Sequence, residues 1–81
     1  MGREYKILCT PVDGAALKQL LQRLPPPFHR PQMQEIYNYR VEEDGYYLVD
    51  HLIDRSVAAV ALQIFMDSAL STGKTVTVIE P

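Results

Sequence analysis

The stretch DRSVAAVALQIFMDSAL, residues 54–70, forms the longest uninterrupted helical pattern in the chain. Asp54 is a favourable N-cap residue, because its carboxylate can accept a hydrogen bond from a free N–H of the first turn. No Gly or Pro interrupts the run, and its Ala and Leu residues have high helical propensity. We therefore predict a long helix that begins after Asp54 and ends around residues 71–73.

Apolar side chains cover most of the circumference of this predicted helix. With about 3.6 residues per turn, the core stripe would consist of Ala58, Ala61, Leu62, Phe65 and Ala69. One flank of the stripe carries Val57, Val60 and Ile64, and the other carries Met66 and Leu70. An amphipathic helix needs an apolar arc of about 100°, and this arc is roughly twice as wide. We expect another element, or a second chain, to cover the flanks.

The overall composition is that of a small globular domain. The chain has 81 residues and a net charge of −2. Its charges are interspersed, which argues against DNA binding, because that binding depends on neutralising phosphates. The single cysteine, Cys9, excludes an internal disulfide framework and favours a reducing compartment. The N-terminus lacks the apolar segment of a signal peptide, and no window reaches the roughly 18 apolar residues of a membrane span. We therefore expect a cytoplasmic protein that does not enter a membrane.

A predicted β-hairpin precedes the long helix. Its two β-rich runs, residues 35–42 and 46–53, flank an Asp-Gly pair, which is a strong hairpin signal. A two-residue turn at Asp44-Gly45 would pair Val41 with Leu48. A three-residue turn with a bulge at Gly45 would instead reverse which side chains of the second strand face the core.

The two registers agree on the first strand of the hairpin and differ on the second. Both keep Tyr37, Tyr39 and Val41 together on the core face, and the three-residue turn adds Tyr47 and Val49 to them. We prefer the two-residue turn, because it gathers polar side chains on the opposite face: Asn38, Arg40, Glu42, Tyr47 and His51.

The remaining segments complete a β-α-β-β-α-β order. Residues 5–10 alternate as a first strand, residues 16–24 place leucines at amphipathic helical spacing, and residues 74–80 alternate as a last strand. The Pro-rich residues 25–31 form a stiff connector between the first helix and the second strand. With right-handed crossovers, this order predicts an α+β, ferredoxin-like sandwich over residues 1–81, in which two helices cover one face of a four-stranded antiparallel sheet.

The segment DGYYLVDH, residues 44–51, resembles the aromatic RNA-binding strand of the RNA-recognition motif. That motif has a basic first residue, a small fourth residue and an aromatic last residue. This chain has Asp44, Tyr47 and His51 at those positions, and the charge of Asp44 would repel phosphate. The resemblance implies single-stranded RNA binding as one alternative function, with Tyr5 of the first strand as a second stacking aromatic.

The titratable side chains in and next to the hairpin do not match the pattern of a catalytic or metal site. Asp50 and His51 are neighbours on a strand and point to opposite faces, so they cannot bind one ion together. Our preferred register places Asp50 on the core face, where it would need water or a tyrosine hydroxyl. We expect neither a cofactor nor a metal. The alternative is a small enzyme that uses His51, Tyr47 and Arg40 in a pocket on the open sheet face.

These observations favour a protein-interaction or regulatory module, either a homodimer or a subunit of a complex. The candidate contact residues on the sheet are Arg40, Tyr47, Val49 and His51, and those on the long helix are Val57, Val60 and Ile64.

Overall fold

The computed structural model of the chain describes residues 2–29, 33–73 and 75–81, with the backbone alone at His29. Its elements are β1 (Arg3–Leu8), α1 (Gly14–Arg23), β2 (Phe28–His29), β3 (Gln34–Glu35), β4 (Tyr37–Glu42), β5 (Gly45–Asp50), α2 (Arg55–Thr72) and β6 (Thr77–Ile79). Four strands form one antiparallel sheet in the order β4-β5-β1-β6, and β2 pairs with β3 separately. The predicted α+β class, with a four-stranded antiparallel sheet and two helices, is confirmed.

The hairpin between β4 and β5 turns at Glu43-Asp44, one residue earlier than the sequence predicts. Val41 pairs with Tyr46, so the preferred pairing of Val41 with Leu48 is wrong by two residues. A shift of two residues keeps each side chain on its predicted face. Leu48 is accordingly buried, and Tyr47 lies on the opposite face. The three-residue turn is wrong, because it would place Tyr47 in the core.

Gly45 explains why the turn forms at this point. Its φ is +148°, a region that favours glycine. A Cβ atom on Gly45 would also lie 1.8 Å from the carbonyl oxygen of Ile7 on β1. The glycine of the Asp-Gly signal is therefore required as the first residue of β5, where the strand passes close to its neighbour.

Helix α2 packs its buried side on the sheet, and Asp54 caps it as predicted, accepting the N–H of Val57 at 3.3 Å. The buried residues of α2 are Ala58, Ala61, Ile64, Phe65 and Ala69. The ring of Phe65 lies 5.5 Å from that of Tyr39 and 5.0 Å from that of Tyr46. The predicted core stripe is confirmed except at Leu62, which is only half-buried, while Ile64 is buried.

Two tyrosine hydroxyls of the sheet bind the chain on either side of α1. Val12 donates its N–H to the hydroxyl of Tyr46, and that hydroxyl lies 3.1 Å from Oγ of Ser68 on α2. The hydroxyl of Tyr37 donates to the carbonyl oxygen of Pro25. Burial, together with the nearby Tyr39, raises the pKa of Tyr37 to about 12. These bonds hold both ends of α1 over the face of the sheet that α2 covers.

The Pro-rich connector is partly paired. Ile36 donates its N–H to the carbonyl oxygen of Pro27 at 2.6 Å, beside the pairing of β2 with β3. Ile36 also separates β3 from β4, so the predicted second strand is divided in two. The last strand is shorter than its pattern predicts. Residues 30 and 31 of the connector, the following residue 32, and Lys74, the predicted start of the last strand, lie outside the described residues.

Candidate functional site

The sheet face opposite α2, here called the open face, carries charged and aromatic side chains in register across three strands. The pairing places Arg40 of β4 beside Tyr47 of β5, and Tyr47 beside Lys6 of β1. In the next row, Val49 lies beside Glu4. The structure therefore brings together three of the predicted sheet residues. Sequence analysis missed Glu4 and Lys6, although the alternation along β1 contains that signal.

The side chain of Tyr47 has partners on two sides. The guanidinium carbon of Arg40 lies 4.4 Å from the centre of the Tyr47 ring, which is a cation–π contact. The Tyr47 hydroxyl donates to Oε1 of Glu4 at 2.6 Å, and this bond to a carboxylate raises the pKa of Tyr47. A nucleobase that stacked on this ring would have to displace Arg40. The geometry therefore adds no support to the RNA-binding alternative.

Lys6 is the central cation of the open face. Its Nζ donates to Oδ1 of Asp44 at 2.7 Å and also to Glu42. The bond to Asp44, followed by that to Glu42, raises the pKa of Lys6, and the same bond to Lys6 lowers the pKa of Asp44. Arg40 lies 3.8 Å from the other oxygen of Glu42. These charges neutralise one another within the chain, which limits their use for holding a charged ligand.

Cys9 follows β1 at the same end of the sheet as Asp44. Its N–H donates to the carbonyl oxygen of Asp44 at 3.0 Å. Partial burial, and then the charge of Asp44, raise the pKa of the Cys9 thiol. A raised pKa disfavours the thiolate, which is the nucleophilic form of cysteine.

His51 lies just beyond the end of β5, two residues after Val49 and farther from Tyr47 and Arg40. Its Nε2 is 2.8 Å from Oε1 of Glu35, and its backbone N–H donates to the carbonyl oxygen of Ile36. Four residues of extended chain, roughly 13 Å, separate it from Tyr47. The structure therefore does not combine His51 with Tyr47 and Arg40 in one group.

Asp50 points to the core side of the sheet, as the preferred register predicts. It is buried, and its Oδ1 accepts the N–H of Leu52 at 2.8 Å, while Oδ2 lies 3.9 Å from Nε of Arg55. The partners of the carboxylate are thus in the loop that follows β5 and in the first residue of α2, and no tyrosine hydroxyl is among them. It lines a cavity of about 360 Å³ between α2 and β1, together with Tyr5, Arg55, Ser56, Ala58, Ala59 and Leu62.

The helix candidates separate into buried and exposed residues. Ile64 is 9% exposed and Val57 is half-buried against the core, so these two candidate contact residues are largely covered within the chain. Val60 is 48% exposed. Helix α1 lies beside the C-terminal half of this flank, because α1 and α2 together line a groove of about 240 Å³ that includes Leu20, Asp67 and Ser68.

Exposed apolar side chains also occur on the other side of the molecule, at the edge formed by β6. The sequence analysis did not predict them as contact residues. Leu70 of α2 is 48% exposed, and Val78 of β6, on the helix-covered face beside Ile7, is 40% exposed. Ile79, on the open face beside Lys6, is 44% exposed. In the part of the chain that the structure describes, no third helix covers this side. Leu62 and Met66, on the same flank of α2, are half-buried against the core.

Neither the α1–α2 groove nor the cavity beside Asp50 is lined by His51, Tyr47 or Arg40. The enzyme alternative therefore gains no support from these two cavities. Among the described residues, no three His, Cys, Asp or Glu side chains are grouped as a metal site requires. None of the helices in the described ranges is long and apolar enough to cross a membrane. Comparisons of the chain with protein-family models, with curated proteins and with solved structures found no match.

Proposed function

We propose that this chain is a cytoplasmic interaction module with a ferredoxin-like fold, and that it works by associating with a second copy of itself. The strand order β4-β5-β1-β6, with antiparallel neighbours throughout, supports the ferredoxin-like assignment, because it places the first strand between the third and the fourth main strands. That architecture hosts many unrelated functions, so the proposal rests on the surface and not on the fold.

The observation that carries the proposal is the apolar side towards β6. Helix α2 is apolar around most of its circumference, and α1 covers only one of its flanks. At this edge Leu70 and Val78 are exposed on the helix-covered face, and Ile79 is exposed on the open face, where it pairs with Lys6. Each fully buried side chain of this kind contributes about 1.5–3 kcal/mol, so covering them with a second copy would stabilise a chain of this size appreciably.

Sedimentation equilibrium of the full chain over a wide concentration range tests the proposal. We expect a reversible dimer, whose dissociation constant rises in the variant L70Q. The matched control is V60Q, because Val60 has the same exposed fraction as Leu70 but lies on the flank next to α1. A folded chain that stays monomeric at the highest concentration would contradict self-association. A dimer that V60Q weakens and L70Q does not would place the contact on the other flank of α2.

A further inference from the structure

The outer edge of β6 has backbone groups without partners in the described part of the chain. Cys9 donates its N–H to Asp44, so the odd-numbered residues of β1 direct their backbone towards β5 and the even-numbered ones towards β6. Lys6 therefore bonds to Ile79, and Leu8 bonds to Thr77. The N–H and C=O groups of Val78, between those two residues, point outward. An edge strand of this kind can pair with another chain.

The opposite edge of the sheet, β4, is partly blocked. The same alternation directs the N–H of Tyr39 outward, but the Oδ1 atom of Asn38 accepts it at 2.8 Å. Just before β4, Ile36 donates its N–H to Pro27. Side-chain and loop contacts of this type are how proteins block pairing at an edge. Of the two edges, β6 is therefore the less obstructed.

The sequence of β6 lacks the charged and proline residues that often protect an edge, and the strand itself is short, at three residues. Residues 75–79, TVTVI, contain neither a charge nor a Pro. The run is also nearly symmetrical about Thr77, with a valine on each side of it. In the sequence, Lys74 precedes Thr77 by as many positions as Glu80 follows it, so an antiparallel pair centred on Thr77 sets opposite charges across from each other.

We propose that β6 pairs antiparallel with β6 of a second copy, about a two-fold axis at Thr77, and so joins two sheets into one of eight strands. Val76 of each copy then lies opposite Val78 of the other, and the outward backbone groups of Val78 are satisfied. In a two-fold dimer, both copies contribute the same surface to the contact. A strand whose sequence is complementary to itself meets this requirement. The inference rests on the self-association proposed above and adds the surface through which it occurs.

Proline substitution at the two edges tests this proposal. V78P removes an outward N–H and leaves the ladder to β1 intact, which is the edge position that tolerates proline. The matched control is V41P on β4, because Val41 also directs its N–H outward and has a similar exposed fraction. We expect V78P to weaken the dimer at least tenfold in sedimentation equilibrium, since two hydrogen bonds of about 1 kcal/mol are lost per dimer. V41P should leave the dissociation constant unchanged.

The outcomes separate this inference from the self-association on which it rests. A dimer that persists in V78P, or that V41P dissociates instead, would overturn the edge pairing and leave self-association standing. A monomeric wild type would end both proposals. Circular dichroism of each variant establishes that it folds.

If V78P does not fold, charge variants provide the test. E80K should weaken the dimer several-fold, and the swapped variant K74E/E80K should restore it. Equal weakening by E80K and by the swapped variant would overturn the register.

Discussion

Val12 donates its backbone N–H to the hydroxyl of Tyr46 at 2.9 Å, which ties the start of the first helix to the third strand of the main sheet. The same hydroxyl lies 3.1 Å from Oγ of Ser68, so one buried tyrosine joins the sheet to the segment before α1 and to α2. Its ring also contacts Phe65. Tyr46 therefore stabilises the fold through its hydroxyl group as well as through the burial of its ring.

We expect Y46F to lower the free energy of unfolding by about 1–2 kcal/mol, because the variant keeps the ring but leaves the Val12 N–H without its acceptor. Chemical denaturation followed by circular dichroism measures the change. Y5F is the control, since Tyr5 is a half-buried tyrosine on the same sheet face and its substitution should change stability little. Equal losses in the two variants would show that the hydrogen bond is not the cause.

Gly45 should not tolerate any side chain. We expect G45A to destabilise the fold by more than about 3 kcal/mol, because the added Cβ meets the Ile7 carbonyl oxygen at 1.8 Å and φ is +148°. The matched control is G73A. Gly73 has an extended backbone, and the nearest atom to its added Cβ lies at 3.7 Å. Thermal unfolding of both variants distinguishes them, and a G45A variant as stable as G73A would contradict the close approach of β5 to β1.

The two aspartates that precede helices should differ in their effect on stability. Asp54 accepts the N–H of Val57, whereas Asp13 makes no side-chain cap hydrogen bond with α1. We expect D54A to cost about 1 kcal/mol and D13A clearly less, as measured by chemical denaturation. D54N should retain most of the stability, since an asparagine also caps well. A larger loss in D13A than in D54A would contradict the described caps.

The ion pairs of Lys6 predict a pH dependence of stability at both ends of the scale. The pKa of Asp44 is lowered by Lys6, so its stabilising contribution is complete above the unfolded pKa and is lost as the pH falls through the folded pKa. The pKa of Lys6 is raised by Asp44 and Glu42, so its contribution is complete below the unfolded pKa and is lost as the pH rises through the folded pKa.

We expect the thermal unfolding temperature of K6M to depend less on pH than that of the wild type in both of these pH ranges. K18M, which removes an exposed lysine of α1, is the control and should keep the wild-type profile. A wild-type profile in K6M would show that these ion pairs contribute no measurable stability, as is true of many exposed pairs.

The order of helices and strands was predictable, because each one has a local periodicity and local end signals. The turn position was not, since the requirement for glycine at position 45 comes from the Ile7 carbonyl on a distant strand. The Asp-Gly pair predicts a hairpin. Whether Asp44 or Gly45 lies in the turn depends on the close approach of β1. The side-chain faces were still correct, because an error of two residues leaves them unchanged.

The candidate surface was less predictable than the fold. The helical pattern of α2 does not say which flank α1 covers, and this choice decides that Ile64 is buried while Leu70 is exposed. Similarly, the partners of Lys6 lie in β4 and in the hairpin turn. Nothing in the sequence near Lys6 identifies them.

The position of β1 in the interior of the sheet has a consequence for the order in which the chain can fold. Lys6 pairs on one side with Tyr47 and on the other with Ile79. During synthesis, β1 emerges before either neighbour, and its second partner emerges only after α2. Contacts between such distant positions form slowly, because a long loop must close first. The sheet can therefore be completed only after Ile79 has left the ribosome, and until then the strand made first has an unpaired side.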